Sequence, residues 1–183
     1  KLLELMSDVL LNSTFNEGEL EKLKKQTISG LASEKDSPDA IAGKVASVLT
    51  YGADHPYGES ASEKTVKNVT VDDCKKYYKT YFRPNTTRLV IVGDVDAKNL
   101  KGQLEKYFGD WKKGQVPTNT YKTPVAPKVA EVAFVDKTAA VQSVIKVTYP
   151  VDYKPGSDDA IKARVMNTIL GGGGFSGRLM QNL

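Results

Sequence analysis

The residues of this 183-residue chain that invite a chemical reading are few. Gly171, Gly172, Gly173 and Gly174 form an unbroken run, followed by Phe175-Ser176-Gly177-Arg178-Leu179. Successive glycines permit positive φ and the close approach of a foreign backbone. At the start of a helix they also expose N–H groups that suit anions. A phosphate loop is excluded, because no Gly-Lys-Ser/Thr follows at the required spacing. Two readings stay open: a helix cap with a tight turn, or a loop that contacts a peptide or other ligand. In the first reading one glycine, Gly171, serves as the cap, and the next three exceed the capping requirement.

Other candidates are weaker. His55 stands in a Pro/Gly turn, either as a general base or lone ligand or as a structural turn residue. It is the single histidine, which excludes a site built from two histidines of this chain. Cys74 is the single cysteine. It excludes an internal disulfide and reads as a small helix-face residue, with no basic partner to make it a nucleophile. Glu34, Asp36, Asp39 and Asp54 read as capping and surface acids. The run Lys75-Lys-Tyr-Tyr-Lys-Thr-Tyr-Phe82 interleaves cations and rings as single-strand nucleic-acid surfaces do. At helical spacing its rings form a core face and its lysines a solvated one. With 26 basic and 22 acidic residues, the net charge of +4 demands no polyanion. No apolar run approaches the ~20 residues of a membrane helix. Asn12-Ser-Thr, Asn68-Val-Thr and Asn85-Thr-Thr match glycosylation acceptors, a motif common by chance.

The elements that must position these residues follow from periodicity and caps. Helices are predicted over 1–11 and about 17–33, the second burying Leu20, Leu23, Thr27 and Leu31. A third starts at Ser37-Pro38-Asp39, with a Ser cap and Pro at the first helical position. It buries Ile41, Val45, Val48 and Leu49. A fourth is capped by Thr70 and a fifth by Asp96, with Leu100, Leu104, Tyr107 and Trp111 inward. A sixth starts near Ser157, buries Ile161, Val165 and Ile169, and stops at Gly171. Residues 87–93, 131–136 and 141–149 read as strands. The prolines at 117, 124 and 127 mark 115–128 as a linker. The expected fold class is therefore α+β, with helices packed on antiparallel sheet in tandem domains. Residues 1–114 are the later part of a first domain and 129–183 the start of a second. Neither end shows a helix stop or start signal, so the chain is expected to be truncated at both ends.

Several segments in order resemble the pitrilysin/insulinase-type zinc metallopeptidases, the group that includes the mitochondrial processing peptidase. They are Asn12-Ser-Thr-Phe15 with Glu19-Leu20, His55-Pro-Tyr-Gly58, Tyr81-Phe-Arg-Pro84, Arg88-Leu-Val-Ile-Val-Gly-Asp94 and Leu170-Gly-Gly-Gly-Gly-Phe-Ser-Gly-Arg-Leu179. Members that cleave carry an H-x-x-E-H helix and a distal Glu on zinc. The resemblance places the Glu pair of that distal helix on Ser29-Gly30, which cannot ligate zinc, with Lys24 and Lys25 nearby. It therefore implies a non-catalytic member or half, with no catalytic and no metal-binding residue and no peptidase activity of its own. Zinc is expected in an active partner or half. The implied partners are a peptide or unfolded protein substrate and an active peptidase subunit or second half, with no nucleic acid. The substrate contact is assigned to Gly171–Gly174 and Phe175. The competing reading is a structural scaffold subunit with no peptidase role. The sequence fixes no compartment; the periplasm or another soluble compartment is compatible with it.

Overall fold

A computed structural model describes residues 1–151, 153–154 and 156–182. Eight α-helices occur among them: α1 (Leu2–Leu11), α2 (Glu17–Glu34), α3 (Pro38–Tyr51), α4 (Glu63–Asn68), α5 (Val71–Tyr81), α6 (Ala97–Phe108), α7 (Asp159–Asn167) and α8 (Arg178–Gln181). A 3₁₀ turn covers Pro84–Thr86, a π turn Thr168–Gly172 and a second 3₁₀ turn Gly174–Ser176. The predicted continuation of α8 reaches Leu183, which lies outside the described residues.

Capping explains where the helices begin. Asn16 accepts from the Glu19 N–H at 3.2 Å, and Ser37 accepts from the Ala40 N–H at 3.3 Å with Pro38 at the first position. Thr70 and Asp73 cap each other reciprocally: the Asp73 N–H donates to Thr70 Oγ1 at 3.1 Å, and the Thr70 N–H donates to Asp73 Oδ2 at 2.9 Å. Each bond satisfies an N–H that the helix itself leaves without a partner. The same device starts α4, where Ser62 and Thr65 form the box. That helix is absent from the sequence reading because its box has Thr where the usual pattern has Glu or Gln.

The expected antiparallel sheet is not there. Among the described residues no strand forms, and the fold class α+β is corrected to helices joined by irregular segments. A strand exists only when its N–H and C=O groups meet a ladder partner. Residues 87–93 find none. Between 131–136 and 141–149 a turn does close, with Ala139 at φ 64° and the Ala140 N–H donating to Lys137 O at 3.1 Å. No ladder follows it. β-branched composition alone therefore overstates strand content here, since it measures fit to a sheet that is present.

The chain divides into two units. The first comprises Lys1–Lys122 and Val135–Lys146, the second Thr123–Phe134 and Val147–Leu183. Of the three runs read as strands, 131–136 and 141–149 each pass from one unit to the other, and 87–93 lies within the first.

In the first unit α1 packs on α6 and α2 on α4. The side chains on these faces are half-buried, and among the described residues no apolar side chain is fully buried. On α2 the inward row is Leu20, Lys24, Ile28 and Leu31, not the row through Leu23, which is 58% exposed. Lys24 joins the row because its side chain is largely covered while its ammonium reaches Glu21 at 2.9 Å and Lys67 O of α4 at 3.2 Å. On α3, Ile41 and Val45 are half-buried, but Val48 and Leu49 are exposed. The predicted faces of α5 and α6 hold: Val71, Cys74, Tyr78 and Tyr81, and Leu100, Leu104, Tyr107 and Trp111, are all half-buried. The Tyr78 hydroxyl donates to Leu10 O at 2.5 Å, and its ring meets Phe15 edge-on at 5.6 Å. Together they tie α5 to the end of α1. In the second unit α7, the π turn and α8 pack together.

Candidate functional site

The glycine run is built from the end of α7 outward. Beyond Asn167 the hydrogen bonding loosens by one residue, and the Gly173 N–H donates to Thr168 O at 3.1 Å. Such wide turns recur at functional sites. A Cβ at Gly172 would lie 2.5 Å from Asn167 Nδ2, and one at Gly173 would lie 2.8 Å from Thr168 O. Gly174 has φ +61°, the left-handed region that glycine adopts without strain. The Gly177 N–H then donates to Gly174 O at 3.0 Å, and the Ser176 hydroxyl donates to Gly173 O at 2.9 Å. Gly177 closes the motif: a Cβ there would sit 2.9 Å from Gly171 Cα.

This geometry corrects one step of the sequence argument. The residue with positive φ is Gly174, not Gly171. Gly173 is not surplus to a cap, because a Cβ there would collide with the backbone oxygen of Thr168 in the π turn. At Gly172 a Cβ would displace the end of the Asn167 side chain and crowd the Asn167 backbone oxygen at 3.1 Å. Gly174 alone faces open space. Its neighbour Phe175 is 88% exposed.

Beside the run lies an open groove of about 560 Å³. Ile161, Val165 and Met166 of α7 line it, followed by Ile169 and Leu170 of the π turn. Three of them, Ile161, Val165 and Ile169, are the face the periodicity marks as buried, and they are exposed instead, Ile161 by 75%. The charged residues on its wall are Lys162 and Arg178. Lys162 pairs with Asp159 at 2.8 Å, whereas Arg178 has no carboxylate partner among the described residues. Sequence reasoning missed this groove. Its signal was present in the apolar stripe 161–165–169 beside an arginine that no nearby acid accounts for.

The remaining candidates fall elsewhere. His55 is half-buried. It stacks on Tyr51 at 5.3 Å and meets Tyr57 and Tyr121 at 5.3 and 5.5 Å, all within the first unit. Its Nδ1 accepts from the Tyr57 N–H at 3.1 Å, which places the proton of the neutral ring on Nε2. Gly58 is buried in the same turn, where a Cβ would lie 2.0 Å from Gly52 O. His55 is thus a packing element of the turn 52–58. Cys74 is half-buried on α5. Ser29 and Gly30 lie in the middle of α2, exposed, with nothing within 4 Å of a Cβ built on Gly30. Among the described residues no three His, Cys, Asp or Glu side chains gather as a metal would require. No helix among them is long and apolar enough to cross a membrane.

The chain belongs to the peptidase M16 inactive-domain family, whose description matches residues 68–183, more than half of its length. Over 183 residues it is 26% identical to the "Uncharacterized zinc protease YmxG" of Bacillus subtilis, covering 99% of this chain and 43% of that protein. An "Uncharacterized zinc protease" of Rickettsia bellii is 22% identical over 187 residues, again with 43% of its length covered. The chain thus spans less than half of these relatives. The crystal structure of a peptidase M16 inactive domain from Pseudomonas fluorescens matches 98% of the chain with a TM-score of 0.75 at 23% identity, and it covers 43% of that structure's chain. That likeness shows the fold of the family.

Proposed function

We propose that this chain is the non-catalytic, peptide-holding portion of a zinc metalloendopeptidase, acting with an active partner or half that holds the zinc. Residues 1–114 and 129–183 are then portions of successive peptidase-like domains, joined through 115–128, where no helix forms. Gly171, Gly172, Gly173, Gly174 and Phe175 are its substrate contact. The observation that carries the reading is the turn itself. Gly174 leaves room for a foreign backbone, and Phe175 is held beside it, 88% exposed, on a 3₁₀ turn. An exposed ring anchored on a rigid turn offers contact area at low entropic cost.

The test is photo-crosslinking with p-benzoylphenylalanine in place of Phe175. The bait is a reduced, carboxymethylated, unfolded protein. A control probe replaces Val125, which is 86% exposed in the same unit. Selective capture at 175 is expected; equal or absent capture there refutes the assignment.

A second reading, a structural scaffold, is favoured by a different observation. Val92 is 93%, Val132 93% and Val141 98% exposed. Apolar side chains this exposed are available to be covered by other protein. The groove beside the glycine turn is also largely apolar, with Lys162 and Arg178 on its wall. A scaffold predicts no selective capture at position 175.

A further inference from the structure

We propose that the groove along α7 takes a peptide segment in which aliphatic side chains flank an internal Asp or Glu, whose carboxylate pairs with Arg178. The proposal rests on the peptide-holding reading and specifies the sequence chemistry of what is held.

The argument is one of complementarity. The floor, from Ile161 to Leu170, is aliphatic, and its volume falls within the ~300–1,000 Å³ typical of ligand sites. Such a floor selects apolar side chains without regard to order. Direction and register come from charge, and both charged groups on the wall are cations. Lys162 is already engaged by Asp159. Among the described residues Arg178 has no such partner, and its planar fork matches a carboxylate through two parallel N–H···O bonds. Among the described residues no acid lines the groove, so a basic or neutral peptide gains nothing from Arg178, and a basic one is repelled. The floor runs along α7 and the adjoining π turn as an open groove. A chain passing through therefore fits better than a chain terminus, and the carboxylate is assigned to a side chain.

The full chain is titrated by fluorescence anisotropy with four labelled heptapeptides. The reference is amidated Ser-Gly-Leu-Leu-Glu-Ile-Ser. The others replace Glu by Gln, replace the three aliphatic residues by Ser, or carry Gln with a free C-terminal carboxylate. The Glu peptide is expected to bind about fivefold more tightly than the Gln peptide, the upper range for an exposed charge pair. The Ser-substituted peptide should not bind. Arg178→Gln should erase the Glu/Gln difference while leaving the circular dichroism unchanged, and Arg178→Lys should restore part of it. Val165→Asp should abolish binding of both.

Equal affinities for Glu and Gln peptides overturn the proposal, as does a difference that survives Arg178→Gln. Tightest binding by the free-carboxylate peptide overturns the internal assignment. Capture at position 175 together with no Glu/Gln discrimination sinks this inference alone. Failure of every peptide to bind, with no capture at 175, sinks the peptide-holding reading as well.

Discussion

Replacing Gly173 by Ala tests the glycine turn directly. The added methyl would stand 2.8 Å from Thr168 O, 3.2 Å from Ser176 Oγ and 3.5 Å from Thr168 Cγ2. The oxygen is backbone and accepts the Gly173 N–H itself, so it cannot swing away as a side chain could. Relief requires separating the two groups and losing that hydrogen bond, about 1 kcal/mol. Strain from overpacking adds about 1–3 kcal/mol. Against this, Ala restricts the unfolded chain more than Gly and returns about 0.4–1 kcal/mol. The net is a local destabilisation of about 1–3 kcal/mol. Amide hydrogen exchange over 168–177 reads it, because each 1.4 kcal/mol is about tenfold in protection. The control is Gly30→Ala, in mid-α2 with nothing within 4 Å, where helix propensity predicts a gain of about 0.5–1 kcal/mol. Opposite signs at the two positions are expected. If Gly173→Ala raises protection as Gly30→Ala does, the glycines are surplus and the collision argument is wrong.

Two further outcomes follow from the first unit. Tyr78→Phe removes the bond to Leu10 O and should cost about 0.5–1.5 kcal/mol, read as loosened exchange at the end of α1 and the start of α2 with α6 unaffected. Asp73 is held below its ordinary value of 3.8, first by the hydrogen bond from the Thr70 hydroxyl and then by the Thr70 N–H. A lowered carboxylate contributes stability that is complete above the unfolded value and is lost as pH falls through the folded one. Helicity of α5 should therefore hold at pH 5 and decline below about pH 4; in Asp73→Asn that decline should be absent.

Much of the helical part was legible in the sequence because caps are local. Ser37-Pro38-Asp39, Thr70 with Asp73, and Asp96 each carry their whole signal within four residues, and each starts a helix where expected. The M16 resemblance was legible because its segments recur in order along the chain, and it is the family found. The sheet was misjudged because strand formation is not local: Val90, Ile91 and Val92 look the same whether or not a ladder partner exists. Inward faces were read correctly on α5 and α6, but not on α2, where α4 packs and yet the inward row runs through Lys24 and Ile28 and not through Leu23. They were misread on α7, whose stripe meets a groove and not a core. The glycine run was located correctly, but its internal logic was not. Which glycine takes positive φ depends on the turn that precedes it, and residue types alone do not specify a π turn.

Asn85 folds its side-chain amide against Gly114, donating from Nδ2 to the carbonyl and accepting the N–H at Oδ1, both at 3.1 Å. The pair acts as a clasp across 29 residues. Everything it encloses, including α6, is thereby the contents of a closed ring. Opening the clasp enlarges the conformational space of the whole ring at once, so the enclosed amides should lose protection together and not one by one. Asn85 is also the first residue of an Asn-Thr-Thr acceptor. The nitrogen to which a glycan would be attached is the one that holds the clasp, so in the folded chain this acceptor is occupied by its own backbone.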